Sequence, residues 1–162
     1  MQFFNKLFNF KSLVSNDDIV SVCDGEIISL DQIEDETFKK QEIGLTFAIE
    51  PCSGDICSPV NGTIDFVFPT KHAFGVTMKD GTKILVHIGL NTVELNGEYF
   101  VVYKKEGDEV YAGEKIVDVD LDSLIKASYK PTTMIIIVEN PSCKKYRNFN
   151  KKDIQRLESI LK

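Results

Sequence analysis

The chain of 162 residues has two histidines, four cysteines and no long apolar run, and each shortage closes off a class of function. No stretch approaches the ~20 apolar residues that a membrane-crossing helix requires. The N-terminus also lacks the uninterrupted apolar core and small-residue cleavage site of a secretory signal. The cytoplasm is the expected compartment. Cys23, Cys52, Cys57 and Cys143 are too few for a disulfide scaffold in a chain of this length. Cys52 and Cys57 form a C-x4-C pair without a matching second pair, whereas structural zinc sites use tighter paired spacings. Reduced thiols are the expectation.

What is present is acidic. With residues 1–14 at +2 and residues 143–162 at +5, the net charge of −6 leaves −13 on residues 15–142. That balance argues against nucleic acid and suits a basic protein partner, or simply a well-solvated surface.

Residues 1–18 read as a tail and residues 19–162 as one domain. The tail begins "MQFFNKLFNFKSLV", with Phe3, Leu7, Phe10 and Val14 at helical spacing and Lys6 and Lys11 near the polar flank. Such a segment suits peripheral contact with an anionic membrane surface, or folding back onto the body to bury its phenylalanines.

From Ile19 to Val138 short strands such as "GEIISL", "TFAIE", "NGTIDFVF", "AFGVTM", "TKILVHI", "EKIVDVD" and "TTMIIIV" alternate with Gly, Asp, Asn and Pro turns. The pattern predicts a mainly all-β fold, an antiparallel β-sandwich or flattened barrel with a few short helices. "DLDSLIKASY" reads as a capped helix. Ile154, Leu157, Ile160 and Leu161 fit either a final helix or a final strand. "KDGT" marks a tight hairpin turn, because Asp-Gly tolerates the positive φ such turns require.

Both histidines, His72 and His87, lie in that hairpin at similar distances from its turn. A lone imidazole in an apolar strand is ordinarily a satisfied, half-buried side chain. A pair brought together by strand pairing opens three chemistries. Zinc wants three or four protein ligands, and no third is evident. Nucleophilic catalysis by Ser or Cys needs a motif that places one beside a histidine, and none stands out. Phosphoryl transfer asks less: a neutral imidazole as acceptor and a neighbouring donor to the phosphate oxygens.

The residues carry a family resemblance. "TKHAF" followed by "LVHIGLNTVEL" resembles the paired histidine motifs of the glucose-class enzyme IIA of the bacterial sugar phosphotransferase system. "DGEIISL", "PCSGDICSPVNGTI" and "EGDEVYAGEKIVDVDL" extend the likeness over roughly Ser21 to Val138 in family order. The resemblance implies a β-sandwich in which His87 is the phosphorylated residue, His72 hydrogen-bonds the phosphate and Thr70 orients His72. It places an apolar docking face at Phe38, Phe68, Leu85, Ile88 and Val93, with Asp35 and Asn91 meeting the partner's arginine. It implies the small phosphocarrier HPr as donor and the IIB domain of a IIB/IIC sugar permease as acceptor. No cofactor is required, although His72 and His87 are suited to hold zinc if a partner supplies a further ligand.

The chain departs from the family at Asn91, where an Asp is usual, at Gly44-Leu45-Thr46, where the family has Gly-Asp-Gly, and beyond Pro141. The alternative reading is a regulatory module of the same fold that docks to transporters without relaying phosphate. A biotinyl or lipoyl carrier with Lys79 on the hairpin lacks the methionine expected after that lysine, and a zinc peptidase would need an H-x-H element that "HIG" does not supply.

Overall fold

The computed structural model describes residues 13–147 and 153–161. The described residues form eleven strands: β1 (Gly25–Ile28), β2 (Leu45–Pro51), β3 (Asp55–Cys57), β4 (Gly62–Val67), β5 (Ala73–Thr77), β6 (Lys83–Ile88), β7 (Phe100–Val102), β8 (Glu109–Val110), β9 (Lys115–Val119), β10 (Thr133–Glu139) and β11 (Asp153–Ile154). Eight of them form one sheet in the order β11-β1-β2-β10-β6-β5-β4-β8, and three form a second in the order β3-β9-β7. Every pairing is antiparallel. The large sheet ends at β11 and β8 without closing, so the flattened-barrel variant of the expectation gives way to the sandwich.

Period-2 alternation explains where the core sits. Phe47 and Ile49 of β2, Phe74 and Val76 of β5, Ile84, Val86 and Ile88 of β6, and Ile135 and Ile137 of β10 form one buried cluster with Ile56, Phe100, Val117 and Val119 of the small sheet. Each such side chain contributes about 1.5–3 kcal/mol when withdrawn from water. The alternate residues, Ala48, Leu85, Met134 and Ile136, face the other way and pack with Ile33, Phe38 and Leu90. The central strands are therefore buried on both faces, and the second, smaller cluster underlies the site.

That cluster is roofed by the excursion between β1 and β2. Ser29 and Gln32 form a capping box on a one-turn 3-10 helix, Leu30–Gln32. Asp35 then caps the short helix α1 (Glu36–Lys39), whose buried residue is Phe38. The capped helix expected in "DLDSLIKASY" is α2 (Leu121–Lys126), with the Asp120 side chain accepting from the Ser123 N–H.

The C-terminal segment is not helical where it is described. Gly25 pairs with Ile154, and isolated bridges join Val20 to Ser159 and Tyr146 to Leu161. Ile154 is buried where it completes the β1 edge of the large sheet, which a helix would have left open, and Ile160 where its N–H donates to the Ile19 carbonyl at 2.9 Å. The membrane-contact reading of the tail rests mainly on residues 1–12, which lie outside the described residues. Val14, at the end of that segment, is buried with Val20 and Ala112, and its carbonyl accepts from Asn61 Nδ2 at 3.0 Å. No helix among the described residues is long and apolar enough to cross a membrane. All four cysteines are free thiols, two buried and two exposed.

Candidate functional site

β5 and β6 form the expected hairpin, with Thr77 opposite Lys83 and Ala73 opposite His87. His87 points to the face that carries Leu85, where it touches Phe38 with ring centroids 4.7 Å apart. His72 lies one residue outside β5 and is not directly opposite His87. Its ring nevertheless stands edge-on to that of His87, at a centroid separation of 4.9 Å and an interplanar angle of 82°. Phe68 stacks on His72 at 5.5 Å, and Phe66 lies against Phe68 at 5.1 Å. The result is a row of rings, Phe66, Phe68, His72, His87 and Phe38, with the two imidazoles in its interior. Phe66 was not marked by the sequence. A Cβ on Gly75 would sit 2.4 Å from its ring, so the bare glycine is what lets that ring lie across β5.

Each imidazole has its Nδ1 engaged or enclosed by the fold. Thr70 Oγ1 lies 2.8 Å from His72 Nδ1. His87 Nδ1 is buried without a partner in hydrogen-bond geometry, although the Gly89 backbone lies near enough to favour a proton on the ring. This leaves the Nε2 atoms for chemistry. Burial pushes the His87 pKa down to about 4, neighbouring His72 adds to the shift, and the Gly89 backbone and Asp35 oppose it. Burial lowers that of His72 too, against the backbone of Thr70. Both rings are therefore neutral at pH 7.

The sign for stability follows. An unfolded His87 protonates near 6.5 and the folded one near 4, so the folded state binds fewer protons in between. Its contribution is intact above about pH 6.5 and falls away as the pH drops towards 4. In an NMR titration the His87 ring signals should stay at their neutral positions down to about pH 5, one unit above that value. A midpoint at or above 6.5 would contradict the burial that the geometry shows.

The expected docking residues separate by exposure. Phe68 and Val93 are 42% and 50% exposed, and Leu85 is half-buried. Phe38 is almost wholly buried, presenting its ring to His87 rather than to solvent. Ile88 must be withdrawn from the docking face, because it is fully buried on the opposite side of β6, in the main core. Asp35 and Asn91 share the wall of a cleft of about 620 Å³, with Glu34, Glu36 and Glu94 adding negative charge and Lys130 opposing it. Lys130 is itself paired with Glu34 at 2.7 Å. Asn91 sits in the left-handed region (φ 58°) ahead of a 3-10 turn, Thr92–Leu95.

Asp35 has a structural task as well. Its Oδ1 accepts from the Thr37 N–H at 2.9 Å and from the Phe38 N–H at 3.4 Å, fixing the turn that holds Phe38 on His87. Asp35→Ala should lower unfolding stability by about 1 kcal/mol, and Asp35→Asn, which can still cap, by much less. Urea denaturation midpoints read the difference, and equal losses would show that the cap is not the cause. At Gly44–Thr46, where β2 begins, a Cβ on Gly44 would meet the Ile137 carbonyl at 2.1 Å, and the Thr46 hydroxyl donates to the Gly44 carbonyl at 2.9 Å.

Residues 17–143 match the family model described as phosphoenolpyruvate-dependent sugar phosphotransferase system, EIIA 1. A "PTS system glucose-specific EIIA component" of Mycoplasma capricolum is 46% identical over 140 residues, covering 86% of this chain and 85% of that protein. A "PTS system glucose-specific EIICBA component" of Streptococcus pneumoniae is 41% identical over 136 residues, covering 84% of this chain and 18% of that far longer protein. Among solved structures, glucose permease IIA from Mycoplasma capricolum superposes with a TM-score of 0.82 at 40% identity, covering 89% of this chain and 93% of that one. The match spans both histidines and every ring of the row, and the chain belongs to the EIIA 1 family of the phosphoenolpyruvate-dependent sugar phosphotransferase system.

Proposed function

We propose that this protein is a phosphoryl carrier, accepting phosphate from phosphorylated HPr on His87 and passing it to a cysteine of a IIB domain in a glucose-type permease, on the cytoplasmic side of the membrane. The observation that carries this reading is the edge-on pair of neutral imidazoles whose Nδ1 atoms are both engaged or buried. With its Nδ1 enclosed by the fold, His87 offers an Nε2 lone pair to phosphorus. With Thr70 donating to its Nδ1, His72 carries its proton on Nε2 and donates to a phosphate oxygen. The incoming N–P bond on the carrier histidine breaks as the bond to His87 Nε2 forms. On onward transfer that bond breaks while a cysteine thiolate takes the phosphorus, and His87 returns to the neutral ring.

The exposed rings and side chains around the pair exclude water when a partner docks, which strengthens each polar contact to the transferring group. The acidic cleft at Asp35 and Glu94 suits a basic carrier surface, and with Asn91 uncharged Asp35 remains to meet its arginine. Zinc fits only as a shared ion. Two imidazoles are too few for a protein site, and no group of three or more metal-ligating side chains is assembled among the described residues. A partner's carboxylate would have to complete it.

The experiment is intact-mass measurement after incubation with phosphorylated HPr, followed by addition of a IIB domain. One phosphoryl group gained and then lost supports the relay. A chain that stays unmodified would favour a docking module that carries no phosphate.

A further inference from the structure

Strand parity places His72 on the wrong side of the sheet. β5 puts Phe74 and Val76 into the main core and Ala73 on the face of His87, its cross-strand neighbour. Continued regularly, the strand would point His72 with Phe74, away from His87. The register does not slip, since the Ile88 N–H still donates to the His72 carbonyl at 2.7 Å. What changes is the backbone just before it: Lys71 has φ +62°, in the left-handed region that side chains other than glycine rarely adopt.

The β4–β5 connection explains where that conformation comes from. The Lys71 N–H donates to the Phe68 carbonyl at 2.8 Å and the Phe68 N–H to the Ala73 carbonyl at 3.0 Å, closing a turn over Pro69 and Thr70. Proline presets φ at the first corner of such a turn. The residue that follows the turn is then left-handed, the position a hairpin loop of this kind normally gives to glycine. Here a lysine occupies it, and its stem runs along Gly97, where an added Cβ would lie 3.2 Å from Lys71 Cδ.

We propose that the left-handed backbone at Lys71 is the device that turns His72 onto the face of His87, making Lys71 a positioning residue for the phosphate-binding imidazole. Its requirement is for a backbone tolerant of positive φ and not for the ammonium. The inference rests on the relay reading for its consequence, but its geometric content does not.

Three substitutions that remove the same charge separate backbone from side chain. Lys71→Gly and Lys71→Asn tolerate positive φ, and Lys71→Val does not. The Gly and Asn proteins should keep the nuclear Overhauser contact between the two imidazole rings and transfer phosphate to IIB within about twofold of the parent. The Val protein should lose that contact and slow onward transfer by about tenfold, because a β-branched side chain at positive φ adds a penalty to the one lysine already bears. Lys71→Thr, also β-branched, reads the same effect should the Val protein not fold. Equal behaviour of Val and Gly would overturn the proposal, and so would equal slowing by all three, which would assign the role to the charge. If the parent itself takes no phosphate, the relay reading fails while the ring contacts still decide the positioning.

Discussion

Phosphorylated HPr is expected to leave the His87→Ala protein unmodified. In the parent, His87 combines the three properties that an acceptor needs. It is neutral at working pH because burial holds its pKa near 4, its Nδ1 is enclosed so that one nitrogen is offered, and Phe38 and His72 fix its ring from two sides. Alanine removes the nucleophile, and no other side chain in the row substitutes. His72 has its Nδ1 engaged by Thr70 at 2.8 Å, and the phenylalanines have no reactive atom. Loss should therefore be complete rather than partial. The fold should survive, because His87 lies over the smaller cluster and not in the main core. Phosphate uptake by this variant with His72 as its carrier would reverse the assignment of roles.

His72 should divide acceptance from delivery. His72→Ala takes away the donor to the phosphoryl oxygens, and by analogy with the loss of one preorganised donor, onward transfer to IIB should fall by about a hundredfold. His72→Gln keeps an N–H to offer, so acceptance survives and delivery slows less. Thr70→Ala should lie between the Gln variant and the parent, because it frees the ring to rotate without removing it. Rapid-quench transfer measurements separate the two half-reactions. An Ala variant that delivers as fast as the parent would remove His72 from the mechanism.

Much of this was legible from local chemistry. Asp80-Gly81 set the hairpin turn, with Gly81 at φ +87°, and counting outward from it brought the two histidines to the same end. The motif TKHAF placed Thr70 beside His72, and the 2.8 Å contact agrees with that placement. What local chemistry could not decide was side. "KILVHI" is apolar at nearly every position because β6 is central and covered on both faces, so its periodicity does not say whether Ile88 or Leu85 looks outward. Register against β5 and the excursion bearing Phe38 decide it, and both are long-range.

Parity raised the same difficulty at His72, where the answer lies in one left-handed residue that Pro69 and the turn impose. Helix α1 was also missed, although Asp35 followed by Glu36-Thr37-Phe38 carries a capping signal. Four residues are too few to show a helical period. The C-terminal segment stayed ambiguous for the opposite reason, since its apolar residues fit two periods and only the open edge of β1 selects a strand.

The central claim is that one nitrogen of one histidine carries the phosphoryl group. Correlating phosphorus with ring nitrogens by NMR, on protein labelled with ¹⁵N-histidine and charged by phosphorylated HPr, locates that bond directly. A single phosphorus–nitrogen coupling to His87 Nε2 is expected, with His72 unmodified and shifted by its new hydrogen bond. A coupling to His72, or to Nδ1 of either ring, would contradict it.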